Sequence, residues 1–190
     1  MKLILASASP RRKAIFTDLG LDFEIVPSNA DENTSEREPS RAVMALSRQK
    51  AENVFSRTGK TVVSADTIVV LDGQIMGKPK DEADARRMLR ALSGRAHEVY
   101  TGICVKNAEK TVSRACRTTV RFRELSDTEI ERYVRTGEPL DKAGAYGISG
   151  LGALLISGVE GDFWNVVGFP IATFGEVMRE EFGMEIMPEK

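Results

Sequence analysis

The amino-acid sequence predicts an α/β fold with a mixed, twisted β-sheet flanked by helices. Strand-like and helix-like segments alternate along the chain, a tight-turn dipeptide joins two of the strands, and longer crossovers join others. The first strand, Leu3-Ile4-Leu5, runs directly into a helix start. Ser9 suits the N-cap, Pro10 the first helical position, and Gly20 closes the element after Leu19. Residues 22–27 read as a second strand, followed by a polar loop over 28–39 that carries Asp31, Glu32, Glu36 and Glu38. Ser40 is expected to cap a long helix reaching Arg57, closed by Gly59. The runs Thr61-Val62-Val63 and Ile68-Val69-Val70-Leu71 read as a central strand broken by Ser64-Ala65-Asp66-Thr67. Asp72-Gly73 is a turn dipeptide that returns Gln74-Ile75-Met76 antiparallel beside it. Asp81 caps a helix with Ala85, Met88, Leu89 and Leu92 on one face, ended by Gly94. Strands near 98–106 and 110–123 follow, then a capping box, Ser126-Asp127-Thr128-Glu129, opens a helix to Thr136. A glycine-rich loop over 144–152 leads to a strand near 153–157, and Pro170 starts a helix that ends near Phe182.

Composition bounds the function. At 190 residues the chain is long enough to bury a sizeable core and is expected to form one domain over residues 1–190. Charged residues make up 29% and hydrophobic ones 42%, ordinary for a soluble globular protein. The net charge of -1 gives no global basic field to hold nucleic acid, so any affinity for anions must come from local clusters. Cys104 and Cys116 are the only cysteines; they argue against a disulfide scaffold, fit a reducing compartment, and read as free, half-buried thiols. No signal peptide is evident, and the apolar runs fall far below the ~18 residues of a membrane helix. A soluble, cytoplasmic protein without membrane or nucleic-acid partners is expected.

Four residues break local rules. Arg11 and Arg12 occupy the positive end of the first helix, where each costs roughly 0.3–1 kcal/mol without compensation. Beside Ser7 and Ser9 they either receive an anion or point to solvent. Lys50 lies within the apolar stripe of Val43, Leu46, Ala51 and Val54, so it either snorkels to the rim or meets a negative partner. Asp66 sits between two β-branched runs, where a carboxylate is costly unless it is paired, ligates a metal or faces a wet cleft. A strand end or bulge at 64–67 is the alternative.

Other motifs say less. Pro79 holds Lys78 in an extended conformation, at a rim or simply in a solvated loop. The loop over 144–152 supplies glycines either for close approach to a ligand or simply for a strand entry and bulge, and is neither a Walker A loop nor a dinucleotide fingerprint. Glu160-Gly161-Asp162-Phe163-Trp164-Asn165 reads as a polar-aromatic loop. His97 is the single histidine, which excludes histidine-based zinc clusters and argues against a Ser-His-Asp triad; a surface or edge role is expected.

Taken together, the motifs resemble the Maf (septum-formation-like) family of nucleoside triphosphate pyrophosphatases over nearly the whole chain. The matching pieces are Leu5-Ala6-Ser7-Ala8-Ser9-Pro10-Arg11-Arg12, Asp31-Glu32, Lys50-Ala51, Ala65-Asp66-Thr67 and Gly77-Lys78-Pro79. They continue with Leu92-Ser93-Gly94, His97, Thr101-Gly102, Asp141-Lys142-Ala143-Gly144-Ala145-Tyr146-Gly147-Ile148 and Asn165-Val166-Val167-Gly168-Phe169-Pro170. The resemblance implies an elongated sheet in two lobes with a central cleft, related to inosine triphosphate pyrophosphatases. It also implies hydrolysis of a nucleoside triphosphate to the monophosphate and pyrophosphate with Mg²⁺ or Mn²⁺, in a homodimer. By position, Asp66 would be the base that activates water, Ser7, Arg12, Lys50 and Lys78 would hold phosphates, and Glu32 would help place the metal or water. An aspartate's ordinary pKa of ~3.9 means that burial or metal-polarised water must close the gap to neutral pH.

The sequence Ala145-Tyr146-Gly147-Ile148 resembles the branch acting on dTTP and UTP, in which positions matching Arg11, Thr67 and the residue after Ile148 influence base choice. That last residue is usually glutamine, and here it is Ser149, too short to make both hydrogen bonds of an amide. Pyrimidine preference is expected, with shifted discrimination as an open alternative. A pyrophosphatase for modified or methylated purine nucleotides and a non-enzymatic, nucleotide-binding regulator of cell division are the rival readings.

Overall fold

In the computed structural model, which describes residues 2–187, strands and helices are interspersed along the chain. The order is β1 (Leu3–Leu5), α1 (Pro10–Asp18), β2 (Phe23–Ile25), α2 (Pro39–Thr58), β3 (Val62–Leu71), β4 (Gln74–Met76) and α3 (Glu82–Leu92). It continues with β5 (Ala96–Lys106), β6 (Thr111–Phe122), α4 (Asp127–Arg135), β7 (Ile156–Glu160), α5 (Phe163–Val167) and α6 (Ile171–Phe182). Seven strands hydrogen-bond in the order β2-β1-β3-β5-β6-β7, with β4 beside β3. β1 runs parallel to β2 and β3, whereas the β3–β4 and β6–β7 pairs are antiparallel, so the sheet is mixed. The short β1 is buried along its whole length, as a strand with parallel neighbours on both sides requires.

The chain packs as two compact units. The first comprises the residues up to Asp66, Thr101–Cys116 and the segment from Gly168 onward. Phe16 of α1 anchors it, with ring centroids 5.3 Å from Phe23, 5.1 Å from Phe169 and 5.8 Å from Phe174. Against β1 and β3, α2 buries Ala51 and Val54 in a cluster with Ile4, Ala6, Val62 and Cys104. The helix backbone lies directly on β5: a Cβ at Gly102 would stand 2.4 Å from the Val43 carbonyl carbon. Only glycine permits that approach.

The second unit comprises Thr67–Tyr100 and Arg117–Val167. The apolar faces of α3 and α4 meet in a core of Met88, Leu89, Leu92, Ile130 and Val134 with Phe122 and Tyr146. At their rim, Arg86 holds Glu131 through two bonds of 2.6 and 3.1 Å. Both members of the α4 capping box are made, with Ser126 Oγ accepting from Glu129 N and Glu129 accepting from Ser126 N.

Several elements depart from the sequence reading. Glu38, not Ser40, caps α2; its carboxylate accepts from Ser40 N at 3.0 Å and Arg41 N at 2.9 Å, and Pro39 takes the first helical position. A carboxylate satisfies two orphan N–H groups where one hydroxyl satisfies one. β3 continues unbroken through Ser64–Thr67, because its polar residues have partners. The second half of the glycine-rich loop is a 3₁₀ turn over Gly150–Leu155, which delays β7 to Ile156. Phe163–Val167 is a short helix rather than loop, started by Asp162 accepting from Trp164 N at 2.8 Å. His97 is buried rather than at a surface, its Nε2 2.7 Å from Tyr146 Oη and its ring edge-on to Phe122 and Tyr146. Cys104 is fully buried, and Cys116 is half-buried. Among the described residues, no helix is long and apolar enough to cross a membrane.

Candidate active site

Period-two alternation along β3 sends Ser64 and Asp66 to the same face, toward α2. Ser64 Oγ donates to the Ser47 carbonyl at 2.5 Å, and Asp66 Oδ1 receives the Lys50 ammonium at 2.6 Å. Two residues along the strand therefore match three along the helix. Both side chains of the Lys50–Asp66 pair are 12% exposed. Of the two outcomes open to Lys50, it meets a negative partner, and it has a second one: Glu32 Oε1 lies 2.9 Å from the same nitrogen. Breaking such a pair on one side leaves a poorly solvated charge, which is costly.

Glu32 comes from the acidic loop that precedes α2, and that loop is fastened to one face of the helix. Gln49 Nε2 donates to Asn33 O at 3.1 Å, Asn53 Oδ1 accepts from Asn29 N at 3.1 Å, and Arg57 Nη2 donates to Pro27 O at 2.8 Å. Residues 49, 53 and 57 are spaced four apart, so they form a single row beside Lys50.

At the start of α1, Ser9 has the extended backbone of an N-cap, but its side chain makes no capping bond. Ser7 Oγ instead accepts from Ser9 N at 3.2 Å and from Arg12 Nη1 at 3.3 Å. Arg12 Nε donates to the Gly168 carbonyl at 2.8 Å, so the guanidinium is held from both sides. Burial pulls the Arg12 pKa down to about 10, opposed by the nearby charges of Asp66 and Glu32; the group stays cationic at neutral pH. The charges of Asp66 and Glu32 therefore reach both Lys50 and Arg12, and Arg11, half-buried, adds a further cation felt by Arg12.

The first unit thus brings together Ser7, Arg11, Arg12, Glu32, Lys50 and Asp66. Thr67, Lys78 and Ser149 belong to the second unit. Thr67 follows Asp66 on β3 and is half-buried. Lys78 is exposed in the Gly77-Lys78-Pro79 segment, which is tied by the Gly77 carbonyl accepting from Gly144 N at 3.0 Å. Ser149 is exposed in extended backbone at the start of the 3₁₀ turn. Sequence reasoning assigned no role to the Gly168 carbonyl; a backbone oxygen carries no residue-type signal beyond its place in the Asn165–Pro170 motif.

The donor set at Lys50 also bears on a metal. Asp66 and Glu32 offer hard carboxylate oxygens converging on one cation, and no group of three or more His, Cys, Asp or Glu gathers among the described residues. One or two carboxylates suit Mg²⁺ when substrate phosphates and water complete its shell.

The model of the family described as Maf-like protein matches residues 2–181. A dTTP/UTP pyrophosphatase of Thermococcus onnurineus is 50% identical over 182 residues, covering 96% of this chain and 99% of its own. A dTTP/UTP pyrophosphatase of Thermoanaerobacter sp. strain X514 is 47% identical over 191 residues, covering 98% and 100%. Among solved structures, the Ham1 protein of Staphylococcus aureus aligns with a TM-score of 0.53 at 16% identity, over 82% of this chain and 80% of that one. That last likeness is one of fold.

Proposed function

The chain belongs to the Maf family, a nucleoside triphosphate pyrophosphatase by that membership, and we propose that it acts on dTTP and UTP with Asp66 as the base. The observation that supports this reading is the convergence of Asp66 and Glu32 on Lys50, beside Arg12 and Ser7, within one unit. Such a group mixes a carboxylate able to take a proton with cations able to hold phosphate oxygens. Phosphoryl transfer asks for little else, since positioning and charge neutralisation supply most of the rate.

In this mechanism Asp66 takes a proton from water as the water oxygen bonds to the α-phosphorus. The bond from that phosphorus to the bridging oxygen breaks, and pyrophosphate leaves with the electron pair. Asp66 Oδ1 is engaged by Lys50, so the proton is received at Oδ2. Lys50 and Arg12 neutralise charge on the phosphate oxygens, and Ser7, already linked to Arg12, hydrogen-bonds to one of them. Glu32 would help hold a divalent cation, which supplies further charge neutralisation when bound. Thr67, Lys78 and Ser149 are further proposed substrate residues, Lys78 for phosphate and the other two, with Arg11, for the choice of base.

The test is pyrophosphate release with Mg²⁺ or Mn²⁺ from dTTP, UTP, CTP, GTP and 7-methyl-GTP, with Asp66→Asn in parallel. Turnover of dTTP and UTP that collapses in the variant is the expected result. Turnover of another base alone discards the pyrimidine assignment. Nucleotide binding without turnover on any base overturns the catalytic reading in favour of a regulator.

A further inference from the structure

One carboxylate in the second unit has no part in the mechanism above, yet it is engaged on every side. Glu138 lies just after α4, in the 3₁₀ turn Glu138–Asp141. Its Oε1 accepts from Tyr133 Oη at 2.9 Å and from Gly152 N at 3.1 Å, and its Oε2 accepts from Leu151 N at 3.3 Å. The same Tyr133 hydroxyl accepts from Gly147 N at 3.2 Å. One carboxylate and one hydroxyl therefore bind both ends of the segment 147–152, with Ser149 exposed between the two anchors.

Packing makes this clamp tight. A Cβ at Gly152 would stand 2.1 Å from the Gly147 carbonyl oxygen and 2.7 Å from Tyr133 Oη, so the two ends touch backbone to backbone. Gly150 has a φ of +71°, and a Cβ there would meet Glu138 Oε2 at 3.2 Å. From below, Lys142 donates to the Glu138 carbonyl at 2.6 Å, and its Cε lies 3.1 Å from where a Gly147 Cβ would be.

We infer that Glu138, acting through Tyr133 and the amides of Leu151 and Gly152, is the positioning residue for base selection. It holds the 147–152 segment so that the Ser149 hydroxyl and the neighbouring backbone groups meet the edge of a nucleobase. This deepens the proposed function and rests on it. A serine contributes one short hydroxyl where a longer amide reaches further, so its contribution depends on the backbone that carries it being fixed in advance.

The experiment compares KM and kcat for dTTP, UTP, CTP and GTP in the wild type, Glu138→Ala, Glu138→Gln and Tyr133→Phe, with amide hydrogen exchange of the nucleotide-free proteins. In Glu138→Ala, KM for the preferred base rises about tenfold more than kcat falls, the ratio between preferred and disfavoured bases shrinks, and exchange at 147–152 speeds up. Glu138→Gln is intermediate, because an amide oxygen can still accept from Tyr133 and Gly152 while its NH₂ cannot accept from Leu151. Tyr133→Phe keeps the ring in the core and moves selectivity the same way by less. An unchanged base ratio, or an equal loss on every nucleotide through kcat, overturns the inference while leaving the proposed function intact. A wild type that releases pyrophosphate from no nucleotide, or from all equally, overturns both the base assignment and this role.

Discussion

The two units fix their candidate substrate residues by opposite means. In the first, charge holds charge: Lys50 stands between Asp66 and Glu32, and Arg12 is held between Ser7 and the Gly168 carbonyl. In the second, a carboxylate and a phenol hold backbone: Glu138 and Tyr133 take the amides of Gly147, Leu151 and Gly152, and the exposed Ser149 is carried along. The first arrangement suits groups that must bear on phosphate charge, which is the same for every nucleotide. The second suits recognition of shape and hydrogen-bond pattern, which differs from base to base.

That division can be broken experimentally, and the largest effect lies in the first unit. Asp66→Asn is expected to lower kcat by about 1,000-fold, within the range of a lost general base, with no change in base preference. Pyrophosphate release across nucleotides measures both quantities, and a change in the base ratio would blur the two roles.

Acid stability comes next and concerns the second unit. Burial pulls the His97 pKa from 6.5 down to about 4, and its Nδ1 is buried without a partner. Below pH ~6.5 the unfolded chain binds a proton that the folded ring refuses, so stability falls as pH drops from 6.5 towards 4, by ~3 kcal/mol from this residue. Urea unfolding of the wild type and His97→Gln at pH 7 and pH 4.5 checks it; the variant should lose the smaller amount over that interval, and parallel losses would exclude His97 as the cause.

Gly152→Ala forces a methyl onto the Gly147 carbonyl and should cost about 2 kcal/mol, the scale of overpacking, with the base ratio relaxed as well. Thermal unfolding and the nucleotide panel read the two effects. Ser126→Ala removes the cap of α4 for ~1 kcal/mol and should leave base choice alone, because Tyr133 lies two turns further along the helix. Altered selectivity in that variant would mean that the clamp depends on the whole helix and not on its own hydrogen bonds.

The same contrast explains what could be read from residue types. Lys50 and Asp66 are conspicuous because each is a charge in an apolar pattern, and they prove to be each other's partner. The reading of a break at Ser64–Thr67 failed for a related reason: a carboxylate disfavours a strand only while unpaired, and the ammonium lies outside the local segment. The β3–β4 hairpin was legible because Asp72 and Gly73, at φ of 51° and 74°, supply the positive angles of a tight turn. The burial of His97 was also available, since alternation along β5 puts it on the face of Val99. Glu138 was not: an acid beside a proline after a helix looks like solvated surface, and two of its three partners are amides brought near only by the folded loop.

Gly102 has a bearing on catalysis although it possesses no functional group. The helix bearing Lys50 rests on the strand at that residue with nothing interposed, and Lys50 lies about two turns further along from Val43. A side chain at 102 would act as a shim, tilting the helix away from the sheet and lengthening the 2.6 Å gap between ammonium and carboxylate. The missing side chain is therefore a spacer gauge: a purely steric tolerance near the start of the helix calibrates the electrostatics two turns further along.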